Sequence, residues 1–279
     1  MYNFTCLKVE KLPNCEFVFH VQLNRPTKLN AMNMVFWDEI GKCFEQLSKD
    51  PDCRTIVLSG AGKAFSVGLD LKENDVVNGL NDAGADDFAR KAFLLGRKIR
   101  QMQQCFTNIN ECPKPVIVVM HGYCLGGGVD LITACDIRIA TKETQFSIKE
   151  VDVGIVADVG TLNRINKVCG NDSWIREVAL TGRNFGAEEA YHNHLISRVC
   201  STKEEALNEA LKMAESIALK SPIAVQGTKI NLNYSRDHSI QDSLNFVATW
   251  NQSQLFSEDV PKSAMATLMK SPFPEFSKL

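Results

Sequence analysis

The chain has 279 residues, 44% of them hydrophobic and 23% charged, with a formal net charge of −2. That balance predicts a globular chain with ample material for a core, and it gives no electrostatic case for nucleic acid, since no basic run supplies one locally. No apolar run approaches the roughly 18 residues needed to cross a bilayer, which argues against membrane insertion.

In chain order, residues 16–25 alternate apolar and polar and predict a strand. Arg25-Pro26-Thr27-Lys28-Leu29-Asn30-Ala31 reads as a loop, Met32 to Leu47 has helical spacing, and Thr55 to Ser59 is a short buried strand. The segment Ala64 to Leu71 carries backbone past Gly68 in apolar company. Residues 73–86 are polar and contain glycine, which predicts a mobile loop. Asp86 or Asp87 is placed to cap a long helix from Phe88 to about Cys112, which Pro113-Lys114-Pro115 stops. A buried strand, Val116 to Met120, then runs through a turn into Gly126-Gly127-Gly128 and an apolar helical run, Val129 to Cys135. Ser197 to Cys200 predicts a strand and Lys203 to Leu219 an amphipathic helix with Glu204 and Glu205 in its first turn. From Ile223 to Lys270 the pattern is helical, with a break expected near Ser257 to Pro261. The simplest organisation is one mixed α/β core over 1–200 with a helical region over 201–279.

The ten cysteines include no CxxC pair, so zinc and disulfide frameworks are not expected, and buried free thiols in a reducing compartment are. His192 and His194 lie two apart and face different sides of a helix, which is no metal pair; His121 is assigned to packing or hydrogen bonding. Trp174, Trp250 and the phenylalanines read as core or interface, with Phe256 and Phe273 suited to a tail pocket or a subunit contact.

Three acids, Asp130, Glu150 and Asp158, stand in apolar surroundings, where a carboxylate needs a partner or a purpose. Glycines before a helix allow close backbone approach and present unpaired N–H groups, the equipment of an oxyanion site. A tight strand-to-helix turn is the plainer reading of the same glycines. Neither a Walker motif nor GxGxxG is present, so phosphate cradling is not expected. Each acid also has an ordinary use: Asp158 as the cap of a helix beginning near Val159, Asp130 in a helix first turn, Glu150 paired with Lys149 or Lys142. Asp152 is left as structural.

Taken together, Arg25-Pro26…Leu29-Asn30-Ala31, Lys63 to Leu71, His121 to Gly128 and Ala134-Cys135-Asp136-Ile137-Arg138 resemble the crotonase (enoyl-CoA hydratase/isomerase) superfamily across nearly the whole chain. Each piece is weak alone; their order makes the match. The segments Gly127 to Ile132, Lys149 to Gly154, Ala157 to Leu162, Ser221 to Gly227 and Tyr234 to Ser239 are most similar to members that shift two double bonds of a 3,5-dienoyl-CoA to the 2,4 positions.

The resemblance implies a spiral of ββα units with a helical C-terminal trimerisation region, a homotrimer or homohexamer, an acyl-CoA substrate of β-oxidation and no cofactor. It assigns the oxyanion hole to the Val67 and Gly127 amides and substrate binding to Lys28, Leu29, Ala31, Gly68, Leu69, Asp70 and Leu71. Glu150, Asp158 and Asp130 become the catalytic acids. Hydratases of the superfamily carry glutamates at the positions of Asp130 and Glu150 and a glycine at that of Asp158, so this chain departs toward isomerisation. A hydratase or a delta(3)-delta(2)-enoyl-CoA isomerase is the alternative, and a non-catalytic acyl-CoA- or RNA-binding protein of this fold is a second. Ser277-Lys278-Leu279 reads as the peroxisomal address, recognised by an import receptor; the first residues lack the Arg-rich, acid-poor helix of a mitochondrial presequence, although a mitochondrial pool stays open.

Overall fold

The computed structural model describes residues 2–13, 15–73 and 87–279. The loop expected at 73–86 therefore lies, apart from Glu73, outside the described residues, as does Asp86.

Among the described residues the large sheet has six strands: β1 (Leu7–Lys11), β2 (Val18–Leu23), β3 (Thr55–Gly60), β4 (Val116–Met120), β6 (Ile137–Thr141) and β9 (Arg198–Cys200), adjacent in that order. The β1–β2 pair is antiparallel and all later pairs are parallel. Strands β3 and β4 are buried at every residue, as parallel strands covered on both faces must be. A second sheet joins β5 (Tyr123–Leu125), β7 (Gln145–Ser147) and β8 (Phe185–Gly186).

The chain climbs by a repeated step. Each of β2, β3, β4 and β6 is followed by a pairing in a second layer and then a helix. After β2, the Met32↔Leu69 bridge leads to α1 (Met34–Lys49); after β3, the Ser66↔Cys124 bridge precedes α2 (Phe88–Glu111). Strands β4 and β5 lead to α3 (Gly127–Thr133), and β6 and β7 to α4 (Thr161–Val168). These are the turns of a ββα spiral. Helix α5 (Asp172–Thr181), the short α6 (Ala187–His192) and four C-terminal helices complete the described chain: α7 (Lys203–Ala218), α8 (Pro222–Ser235), α9 (Ile240–Gln254) and α10 (Asp259–Met269).

Local chemistry explains several boundaries. Asn33, Asp87, Asn171, Thr202, Ser221 and Ser239 each cap a helix by accepting a backbone N–H from its first turn. The main core packs Phe36, Trp37, Ile40, Phe44 and Leu47 of α1 against Met102, Phe106 and Ile109 of α2 and one face of the sheet. The Trp37 and Phe106 rings lie 4.8 Å apart. On the other face, Ala206, Ala210, Ala214 and Ala218 of α7 form a small-residue stripe against Val18, Val57, Ile117, Val119 and Ile139. Alanine every fourth residue lets that helix lie close to the strands. By its contacts α7 thus belongs to the sheet layer, and α8–α10 lie beyond it.

The C-terminal helical stretch is interrupted twice, at 236–239 and 255–258, where one break near Ser257 was expected; Pro261 sits inside α10, near its start. Proline is tolerated in a first turn, where its missing N–H would have no partner.

Candidate active site

The oxyanion candidates are brought together by two strands of backbone running side by side. The Ser66 N–H donates to Tyr123 O at 3.0 Å, and the Leu125 N–H donates to Ser66 O at 3.0 Å. This register sets Gly68 against the start of α3. A Cβ on Gly68, at φ +82, would stand 2.7 Å from Leu125 O and 3.1 Å from the Gly127 nitrogen. Only glycine permits that approach and that φ. Gly126 turns the chain into α3 at φ 49, and its own N–H is tied to Ser147 O at 2.9 Å. The Gly127 nitrogen follows at the first helical position, where N–H groups have no partner inside the helix.

The other predicted donor is engaged. The Val67 N–H donates to Leu29 O at 3.2 Å. Leu29 and Asn30 hold left-handed conformations, at φ 49 and φ 55, that aim this carbonyl. The Asn30 side chain locks them, donating to Ala61 O and Ala64 O at 2.9 Å each and accepting the Arg25 N–H at 2.8 Å.

The expected substrate-binding residues surround this point in unequal roles. Lys28 and Leu71 are exposed and Leu29 marginally so. Asp70 is buried and used internally: it accepts from Arg25 Nη1 at 3.0 Å and from the Lys72 and Glu73 amides at 3.2 and 3.1 Å. Arg25 also donates to Ala31 O at 2.5 Å, so one guanidinium fixes both ends of the segment pair; in the sequence Arg25 had no role beyond a motif match. Leu69 is half-buried against the core and bridges to Met32.

The three acids converge from three segments. Asp130 is wholly buried in the first turn of α3, where its Oδ1 accepts the Thr161 N–H at 2.5 Å and its Oδ2 has no partner among the described residues. Burial pushes its pKa up from 3.8 to about 6, opposed by the Thr161 bond. Glu150 opens a 3-10 turn, Glu150–Val153, with Oε1 3.2 Å from where a Cβ on Gly126 would stand. Its Oε2 is buried, again without a partner among the described residues. Burial, then the charge of Asp130, pushes its pKa from 4.5 to about 7. Asp158 is exposed at the mouth of the group, yet partial desolvation still raises its pKa. Its backbone carbonyl is held by Gln103 of α2 at 2.6 Å. Depressed pKa values are the rule for paired acids; all three of these move the other way.

Two of the acids' plainer roles are filled by other residues. The cap of α4 is Gly160, not Asp158. Lys149 pairs with Asp152 at 2.8 Å rather than with Glu150. Asp130 does sit in a helix first turn, but with one oxygen unspent among the described residues. His121 is buried and bonds Gly62 O at 2.9 Å through Nε2, the structural use expected of it. His194 lies outside α6, at φ 63. Thr161, Gln103 and Arg164 also touch or surround the acids; no sequence signal marked them, because each acts through a contact more than 30 residues distant.

Comparison with known proteins gives the family. Residues 15–274 match the enoyl-CoA hydratase/isomerase family. The chain is 52% identical over its whole length to a rat (Rattus norvegicus) protein named delta(3,5)-delta(2,4)-dienoyl-CoA isomerase, mitochondrial, covering 84% of that protein. It is 43% identical to an Arabidopsis thaliana protein of the same activity name, peroxisomal, again over its whole length and 99% of the relative. Among solved structures, a putative enoyl-CoA hydratase from Streptomyces coelicolor A3(2) superposes with a TM-score of 0.86 at 27% identity, covering 99% of this chain and 96% of that one. The chain therefore belongs to the enoyl-CoA hydratase/isomerase family and has its crotonase α/β fold.

Proposed function

We propose that this chain isomerises 3,5-dienoyl-CoA to 2,4-dienoyl-CoA, a step in the β-oxidation of unsaturated fatty acids. The observation that carries the reading is the third acid: Asp158 stands beside Glu150 and Asp130, giving two proton-transfer groups at different depths of one site. Relatives at 43% and 52% identity bear that activity in their names.

Moving both double bonds requires a proton to leave carbon 2 and another to reach carbon 6. Glu150 lies against Gly126, next to the Gly127 amide that would receive the thioester oxygen, so it serves carbon 2 as base. Asp158 lies farther out, on the segment held by α2, and serves carbon 6 as acid. The acyl chain lying over Asp158 desolvates it further and keeps it protonated until needed. Between the two transfers the charge rests on a dienolate oxygen, held by the Gly127 and Val67 amides, and each such donor is worth roughly 3–4 kcal/mol. Val67 takes part by exchanging its 3.2 Å bond to Leu29 O for the thioester oxygen. After one turnover Glu150 is protonated and Asp158 ionised, and proton exchange resets them. Asp130 keeps its charge near Glu150 and so sets when that base ionises.

The CoA portion would lie along Lys28, Leu29 and Ala31, with Gly68 to Leu71 lining the acyl thioester, and no step needs a metal or redox cofactor. We assign assembly as a trimer, or a dimer of trimers, to the helices beyond α7. Exposed Ile240, Leu244, Leu255, Phe256 and Leu268 and a groove of about 550 Å³ among α8–α10 support this; none of the three acids lines that groove. The tripeptide Ser277-Lys278-Leu279 supports a peroxisomal address, as does the name of the plant relative, whereas the rat relative is named mitochondrial.

The test is the absorbance of a conjugated 2,4-dienoyl product when purified protein meets 3,5-dienoyl-CoA. Product formed by the wild type and lost in Asp158→Asn supports the assignment. Hydration of 2-enoyl-CoA with no action on the dienoyl thioester would refute it.

A further inference from the structure

The proposed mechanism leaves one half-buried cation beside the acids unassigned. Arg164 lies in the first turn of α4, and its guanidinium folds back over the residue that caps the helix, Gly160. A Cβ at Gly160 would overlap that guanidinium, and the glycine's φ of +136 is closed to ordinary side chains. The cation's seat is therefore built by the backbone. It is also tethered: Nη2 donates to Thr107 Oγ1 of α2 at 3.0 Å, and Nη1 reaches Val159 O at 3.4 Å. The residue after Gly160 is Thr161, whose N–H donates to Asp130 Oδ1. Arg164 and the Thr161 hydrogen bond to the Asp130 carboxyl thus belong to one turn of chain.

The charges around the pair are few. Among the described residues Asp130 is faced by Arg164 and Asp158, by Glu150, and by the thiol of Cys124. Arg164 is faced by Asp130, Cys135, Glu111 and Arg236. Its positive field opposes the burial that drives Asp130 toward protonation, and Asp130 in turn supports the charged guanidinium against its own desolvation.

We propose that Arg164 is a positioning residue for this reaction: seated over Gly160 and tied to Thr107, it braces the turn whose Thr161 N–H holds the Asp130 carboxyl, and it adds a positive charge on that side of the acids. The inference rests on the isomerase reading only for its consequence in turnover; the electrostatic part stands in substrate-free protein.

The experiment follows the Asp130 carboxyl by carbon-13 NMR in aspartate-labelled, substrate-free protein, with Asp130→Asn giving the assignment. Wild type, Arg164→Lys and Arg164→Gln are titrated from pH 4 to 9. Loss of the charge in R164Q moves the Asp130 titration upward by about one pH unit, and R164K keeps it at the wild-type position. Thr107→Val, which frees the guanidinium without removing it, moves it the same way by less and covers the case in which R164Q fails to fold. In the isomerase assay, R164Q shifts the pH dependence of kcat in the wild-type background and leaves it unmoved in the D130N background. An unmoved titration in R164Q, equal titrations in R164K and R164Q, or a kcat shift that persists in D130N would each overturn the proposal. A wild type that does not isomerise the dienoyl thioester would sink the function reading while leaving the titration result to stand or fall by itself.

Discussion

Replacing Asp130 by asparagine tests how the acids divide their work, because the substitution keeps the shape and removes one charge. Glu150 is pushed from 4.5 to about 7, first by burial and only second by the charge of Asp130. The Asp130 share is therefore the smaller part of a rise worth roughly 3 kcal/mol in all. The side-chain amide of D130N still offers an oxygen to the Thr161 N–H, so the bond of 2.5 Å in the wild type survives and the loop carrying Asp158 keeps its place. The pH at which kcat is half-maximal on its acid side should then fall from near 7 but stay well above the ordinary glutamate value, with KM little changed. The assay is dienoyl isomerisation across pH 5 to 9, with deuterated substrate to keep proton transfer rate-limiting. A half-maximal pH that stays near 7 would remove Asp130 from the charge network. A fall to the ordinary glutamate value would show that Asp130, and not burial, raises Glu150.

Three further outcomes follow from the geometry. Asp130 and Glu150 both titrate higher in the folded chain than unfolded, so their contribution is fully favourable below about pH 4 and is lost as pH rises through about 6 and about 7. For the wholly buried Asp130, pushed from 3.8 to about 6, this amounts to roughly 3 kcal/mol; thermal unfolding should show higher stability at pH 5.5 than at pH 8, and D130N should flatten that slope. Gly68→Ala sets a methyl group 2.7 Å from Leu125 O at φ +82, so kcat should fall by roughly 10²–10³ through a displaced Gly127 amide, and stability by about 1–3 kcal/mol; unchanged kinetics would remove this contact from the oxyanion site. Arg25→Ala releases Ala31 O and Asp70 together and should raise KM for acyl-CoA more than it lowers kcat, measured by steady-state kinetics.

Much of the fold was legible because its strongest signals are local. Val116–Met120 reads as a buried strand from five apolar residues and is one; the long helix from Phe88 starts at its expected Asp87 cap and ends before the prolines. What escaped depends on distant partners. Strand β1 reads LKVEK, charged at three of its five positions, and is made a strand by antiparallel pairing of Leu7 with Leu23 and its neighbours. The unexpected interruption of the C-terminal helices falls at Arg236 to Ser239, where nothing but the Ser239 cap marks it. The acids themselves stood out as carboxylates in apolar company, but the ordinary alternatives for Glu150 and Asp158 could be dismissed only in three dimensions. Lys149 turns to Asp152, and Gly160, not Asp158, heads α4. The Val67 amide shows the limit most clearly. Its position beside Gly68 was readable, whereas its bond to Leu29 O depends on two consecutive left-handed residues that no pattern announced.

The most direct test of the central claim, that Glu150 serves carbon 2 and Asp158 carbon 6, is an exchange experiment. Asp158→Asn is incubated with 3,5-dienoyl-CoA in D₂O and the thioester followed by proton NMR. The account predicts deuterium entering carbon 2 while no 2,4-diene forms, and loss of both events in Glu150→Gln. A D158N protein that still makes the conjugated product, or one that has lost exchange at carbon 2, would contradict it.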